Sequence, residues 1–100
     1  MKSVNICASF FPPERGGRKL ALIPEAWGHY MPHLRVEGHE ELLGVRFLAG
    51  PREATEFSKD YEFGIEFMYS GVDYSRLIPG TEFEVLEGLK VVAKGMVLSD

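Results

Sequence analysis

Phe83-Glu84-Val85-Leu86-Glu87-Gly88-Leu89-Lys90-Val91-Val92-Ala93-Lys94-Gly95-Met96-Val97 decides the architecture of this chain. Two runs rich in Val, Leu and Phe flank Glu87-Gly88, and such residues favour extended backbone. Gly88 supplies the positive φ that a tight hairpin turn requires. Gly95 interrupts the second run. A missing side chain inside a strand marks a bend, a bulge or a close backbone approach. A hairpin of this kind closes the last strand of a small, curved β-barrel.

The rest of the chain supplies the other strands. Val4–Phe10 alternates, with Val4, Ile6 and Ala8 on one face and Asn5, Cys7 and Ser9 on the other. Pro12-Pro13 stops it, because proline cannot donate a ladder hydrogen bond. Glu14-Arg15-Gly16-Gly17-Arg18 reads as a polar loop or hairpin tip. Lys19–Ile23 is short and apolar, is expected to be extended, and ends at Pro24. Glu25–Tyr30 is a connection. Pro32–Glu37 alternates again, setting His33, Arg35 and Glu37 opposite Leu34 and Val36. Gly38–Glu41 is a turn and Leu43–Leu48 the next strand. Residues 49–60 are polar, with room for one helical turn at Arg52–Phe57. Tyr61–Tyr69 is the strongest strand, with Phe63, Ile65 and Phe67 toward the core and Glu62 and Glu66 toward solvent. A loop over Asp73–Gly80 precedes the final hairpin. Six or seven strands with almost no helix predict an antiparallel barrel or sandwich. Closure into a barrel removes exposed sheet edges, which suits so short a chain.

Length and composition bound the function. One hundred residues make a single domain over residues 1–100. A hydrophobic share of 45% with 26% charged residues is the balance of a soluble globular protein. Net charge is −4, which argues against a general nucleic-acid binder, since such binding draws on phosphate neutralisation by Lys and Arg. Cys7 is the one cysteine, so no internal disulfide forms, as expected in a reducing cytoplasm. No signal-peptide pattern and no apolar run of membrane-spanning length occur. These features predict a complete, cytoplasmic protein.

The series Ser9…Glu14-Arg15-Gly16-Gly17-Arg18, then Gly28-His29-Tyr30-Met31-Pro32-His33-Leu34-Arg35-Val36, then the Gly88…Gly95 hairpin resembles the C-terminal barrel domain of elongation factor Tu. The likeness lies in a Gly-Gly-Arg tip, a Gly-Tyr-x-Pro strand entry, to which Gly28-His29-Tyr30-Met31-Pro32 is similar, and a closing hairpin rich in Glu, Gly and Val, in shared order over residues 4–98. It implies an all-β fold: a six-stranded antiparallel Greek-key barrel. It does not imply GTPase activity, because no Gly-x-x-x-x-Gly-Lys-Ser/Thr phosphate cradle occurs in the chain. Val36-Glu37-Gly38-His39-Glu40-Glu41 sets three acidic groups where an RNA phosphate would approach in the resembled family, which counts against an RNA role.

The residues that could carry chemistry each have a plain structural reading. His29, His33 and His39, with Glu40 or Glu41, raise a metal or enzyme site. Pro32 disfavours the helix that would gather the first two, and on a strand they sit about 13 Å apart. Cys7 lacks a telling partner for nucleophilic catalysis and reads as packing. Glu40-Glu41 reads as a solvated turn. Gly16-Gly17-Arg18 could cradle an anion through backbone N–H groups, against the alternative of an open tip. Trp27, Tyr30 and Met31 either anchor an interface or plug a barrel end. Tyr69–Ser75 reads as a surface crossover. No cofactor and no metal are expected.

The leading expectation is a non-catalytic module that binds a protein through Arg15, Arg18, Trp27, His29, Tyr30, His33 and His39. The alternative is RNA or ribosome association through Arg15, Arg18, Lys19, Arg35 and Arg46. The sequence leaves the oligomeric state open.

Overall fold

Six strands form, and their order around the sheet closes on itself. The structure, a computed structural model, describes residues 2–99. The strands are β1 (Ser3–Phe10), β2 (His33–Val36), β3 (Leu43–Ala49), β4 (Asp60–Phe67), β5 (Glu82–Glu87) and β6 (Lys90–Ser99). They lie in the order β1-β4-β3-β2-β5-β6, every pair antiparallel, and β6 returns to β1. β2, β3 and β4 run as a meander, and the long connection over residues 68–81 brings β5 back beside β2. That is a Greek key. The described residues contain no α-helix.

Period-two alternation builds the interior. Val4, Ile6, Ala8 and Phe10 of β1 are buried, as are Leu34 and Val36 of β2 and Phe63, Ile65 and Phe67 of β4. Phe10, Phe47 and Phe63 meet edge-on or tilted at the centre, with ring centroids 5.1 to 6.3 Å apart. Such tilted pairs suit the ring quadrupoles. A barrel this narrow is filled by its own side chains. No buried side-chain nitrogen or oxygen among the described residues lacks a partner.

The two glycines of the final hairpin do separate work. Gly88 has φ +63° and opens a two-residue loop between Glu87 and Lys90, which face each other across the ladder. Gly95 is a close backbone approach: a Cβ there would lie 2.2 Å from the Cys7 carbonyl oxygen of β1. The β6 ladder also shifts register, between Val85 and Leu86 on one side and between Asn5 and Ile6 on the other. Such shifts bend and twist a strand, and here they let β6 coil far enough to close the cylinder.

Three expectations need correction. Lys19–Ile23 forms no strand, so the count is six and not seven. A closed barrel has no free edge for it to pair with. The segment is held instead through Leu22, which is buried and whose carbonyl accepts from the Thr55 amide (2.9 Å) and hydroxyl (3.1 Å). The helical turn expected at Arg52–Phe57 is absent, and the short 3₁₀ turns fall at Pro13–Arg15 and Pro24–Ala26. Proline in the first position presets φ and has no N–H to leave unpaired, so Pro13 and Pro24 start turns as well as stopping extended runs. The strand expected over Tyr61–Tyr69 ends at Phe67, and Tyr69 turns outward.

Candidate functional site

The barrel has two unlike ends. One is covered by residues 11–32, residues 50–59 and the Gly88-Leu89 hairpin tip; the other by residues 37–42 and 68–81. Arg15, Arg18, Trp27, His29 and Tyr30 belong to the first end, while His33 opens β2 in the barrel wall, between Gly44 and Leu86. His39 lies past the end of β2 and sits at the opposite end, so it is not part of the same surface.

Glu87, the last residue of β5, organises the first end. The Tyr30 hydroxyl donates to Glu87 Oε2 at 2.5 Å, and Arg18 Nη1 donates to the same oxygen. The Arg18 guanidinium also lies over the Tyr30 ring, 5.2 Å from its centroid, and its Nε donates to the Leu20 carbonyl at 3.1 Å. Burial, and then the hydrogen bond to Glu87, raise the Tyr30 pKa well above the phenol range, so the phenol stays a proton donor. One carboxylate thus ties together the loop after residue 17, the approach to β2 and the closing hairpin. Arg18 is not an exposed tip.

Trp27 is a half-buried plug. Its ring packs edge-on against Phe63 with centroids 5.5 Å apart, it covers Gly50, and its Nε1–H donates to the Pro51 carbonyl at 3.1 Å. Tyr30 packs likewise on Phe47 at 5.1 Å. Both aromatics hold the end in shape. Among its exposed polar residues this end also shows aliphatic groups to solvent: Leu89 is 92% exposed, Leu20 76%, Met31 56% and Ile23 48%. Of these, only Met31 stood out in the sequence. The missed signal was the apolar Leu89 at a hairpin tip, where turn chemistry favours polar residues.

The other candidates stand apart from this surface. In the Gly16-Gly17-Arg18 tip, the amides of Arg15, Gly16 and Gly17 donate to the carbonyls of Pro12 and Pro13, so they are not turned toward an anion. Among the described residues, no three His, Cys, Asp or Glu side chains converge in a way that could hold a metal ion. Cys7 lies half-buried on the outer face of β1. Desolvation, then the charges of Asp60 and Glu62, push its thiol pKa up. A raised pKa means less thiolate at any pH near neutrality, and the thiolate is the nucleophile. Iodoacetamide at pH 8 should therefore alkylate Cys7 several-fold more slowly than free cysteine, read by intact mass. Alkylation as fast as the free thiol would mark Cys7 as activated.

On the outer wall, acids and bases pair across strands. Arg35 of β2 meets Glu84 of β5, and Arg46 of β3 meets Glu66 of β4, each at 2.7 Å and each directly opposite in register. Such exposed pairs contribute about 0.2–1 kcal/mol each, but they occupy both guanidinium groups. Along the Arg35–Glu84 pair runs a groove of ≈ 590 Å³, crossing β2, β5, β6 and β1.

Comparison with models of known families and with curated proteins finds no match for this chain. Its functional reading rests on the surfaces themselves.

Proposed function

We propose that this chain is a non-catalytic binding module that engages a protein through the Glu87 end of the barrel. The observation that carries the reading is the exposure of Leu20, Met31 and Leu89 on three separate segments, all tied to one carboxylate. Exposed aliphatic groups on a rigid support lose little freedom on binding, so more of their burial appears as affinity. Arg15 and His29, both exposed, supply a polar rim. In this reading Trp27 and Tyr30 act from beneath as supports. In this reading the barrel shares its design with the C-terminal domain of elongation factor Tu, has no Gly-x-x-x-x-Gly-Lys-Ser/Thr phosphate cradle in its own sequence, and works in the cytoplasm with Cys7 reduced.

Protein is favoured over RNA as the partner. Of the five cations an RNA surface would need, Arg18, Arg35 and Arg46 already meet Glu87, Glu84 and Glu66. Phosphate would have to displace those carboxylates.

The test is affinity capture with the wild-type chain and with the Leu20→Asp/Leu89→Asp variant. Both side chains are exposed, so the variant should melt within a few degrees of wild type. The captured protein should then bind the variant roughly tenfold or more weakly, the cost of losing two apolar anchors. A partner retained equally by both proteins would overturn the proposal.

A further inference from the structure

The geometry points to the groove on the outer wall as the seat of a cationic, extended peptide segment whose wall-facing side chains run from basic to apolar. Its floor is short or apolar. Gly95 has no side chain, and Cys7, Met96 and Phe11 flank it. Its acidic lining is Glu37, Glu82, Glu84 and Asp60, against Arg35 and Lys94. Glu84 already holds Arg35 at 2.7 Å. Glu37 and Glu82 are exposed, and among the described residues neither takes part in a salt bridge.

The register turns this inventory into a pattern. Glu82 faces Met96 across β5 and β6, and Met96 faces Cys7 across β6 and β1. One row therefore runs from acid to thioether to thiol. An extended chain presents its side chains with a period of two. Laid along the groove, it would turn every second side chain to the wall, basic ones onto Glu37 and Glu82 and then apolar ones onto Met96 and Cys7. The closed barrel has no unpaired strand edge. Recognition thus comes from side chains and not from strand addition. A phosphate backbone is repelled by the same carboxylates.

The experiment is fluorescence anisotropy on the full chain with a labelled Lys-Val peptide in which Lys, Lys, Val and Val occupy every second position with Ser between them, about nine residues long so as to span ~30 Å when extended. Its Glu-Val counterpart and a short single-stranded RNA are the other probes. Saturable binding of the Lys-Val peptide alone is expected, weakening as salt rises. Glu37→Lys/Glu82→Lys should weaken it about tenfold or more. Glu25→Lys/Glu53→Lys makes the same change in net charge at the other end of the barrel and should leave binding within about twofold of wild type. Equal weakening by the two double variants, binding of the Glu-Val peptide or the RNA, or no saturation would overturn the inference. Leu20→Asp/Leu89→Asp should leave the peptide bound, so this surface and the Glu87 end stand or fall separately.

Discussion

Replacing Gly95 with alanine is expected to lower the midpoint of thermal unfolding by at least about 12 °C, the equivalent of ~3 kcal/mol in a domain of this size. The added Cβ would lie 2.2 Å from the Cys7 carbonyl oxygen and 3.0 Å from the Ala8 Cα and Cβ. All three atoms belong to β1 and none sits on a flexible side chain, so the clash cannot be relieved by a rotamer change. Relief requires β6 to move off β1, and that seam is where the barrel closes. Alanine also reduces the entropy of the unfolded chain, a gain of roughly 0.4–1 kcal/mol, which is too small to compensate. Gly64→Ala is the matched comparison. Its Cβ would sit 3.6 Å from the Ala49 Cβ and 3.7 Å from Asn5 Oδ1, both ordinary contacts. That variant should melt close to wild type. Two variants with the same midpoint would refute the close-approach reading of Gly95.

Phe47→Ala should cost about 3–5 kcal/mol, a large share of the ~5–15 kcal/mol that holds a typical domain together. Phe47 is fully buried and packs against Phe10, Tyr30 and Phe63. Its backbone also holds the end cap: its N–H donates to the Tyr30 carbonyl at 2.9 Å, and its carbonyl accepts from the Gly28 amide at 2.6 Å. A cavity here opens the centre of the barrel and removes the surface on which Tyr30 rests. Urea unfolding should show a reduced midpoint with an unchanged slope, the mark of lost stability in a folded chain. Phe47→Leu keeps most of the volume and should cost less than about 1.5 kcal/mol. An alanine variant as stable as the leucine one would mean that the neighbours collapse into the space.

Strand faces were legible because burial of one face imposes a two-residue period, and β1, β2 and β4 obey it residue by residue. Hairpin chemistry was legible at Gly88 for a similar reason, since the requirement for positive φ is local. Lys19–Ile23 misled because an apolar run looks the same whether or not an edge exists to pair with. The prolines at 13 and 24 misled because the same fixed φ that ends a strand also begins a 3₁₀ turn. For the candidate surface, Arg18 and Tyr30 were visible as residue types, but their link to Glu87 was not. They lie 69 and 57 residues away from it along the chain. Nothing in local pattern marks Glu87 as different from Glu84, which instead pairs with Arg35 on the outer wall.

Alternation and turn residues by themselves determined that this chain is all-β and which side chains of β1, β2 and β4 point inward, because both follow from short-range sterics and hydrophobic period; the burial of Leu22, Tyr74 and Leu77 from the connections did not show in them. Only the tertiary structure decided which residues remain outside and in whose company. Closure of the sheet brings distant segments to one end, buries Trp27 and Tyr30 as supports, leaves Leu20 and Leu89 in solvent and opens the groove beside Gly95. Those outcomes depend on long-range register, and register is set by the whole ring of strands together.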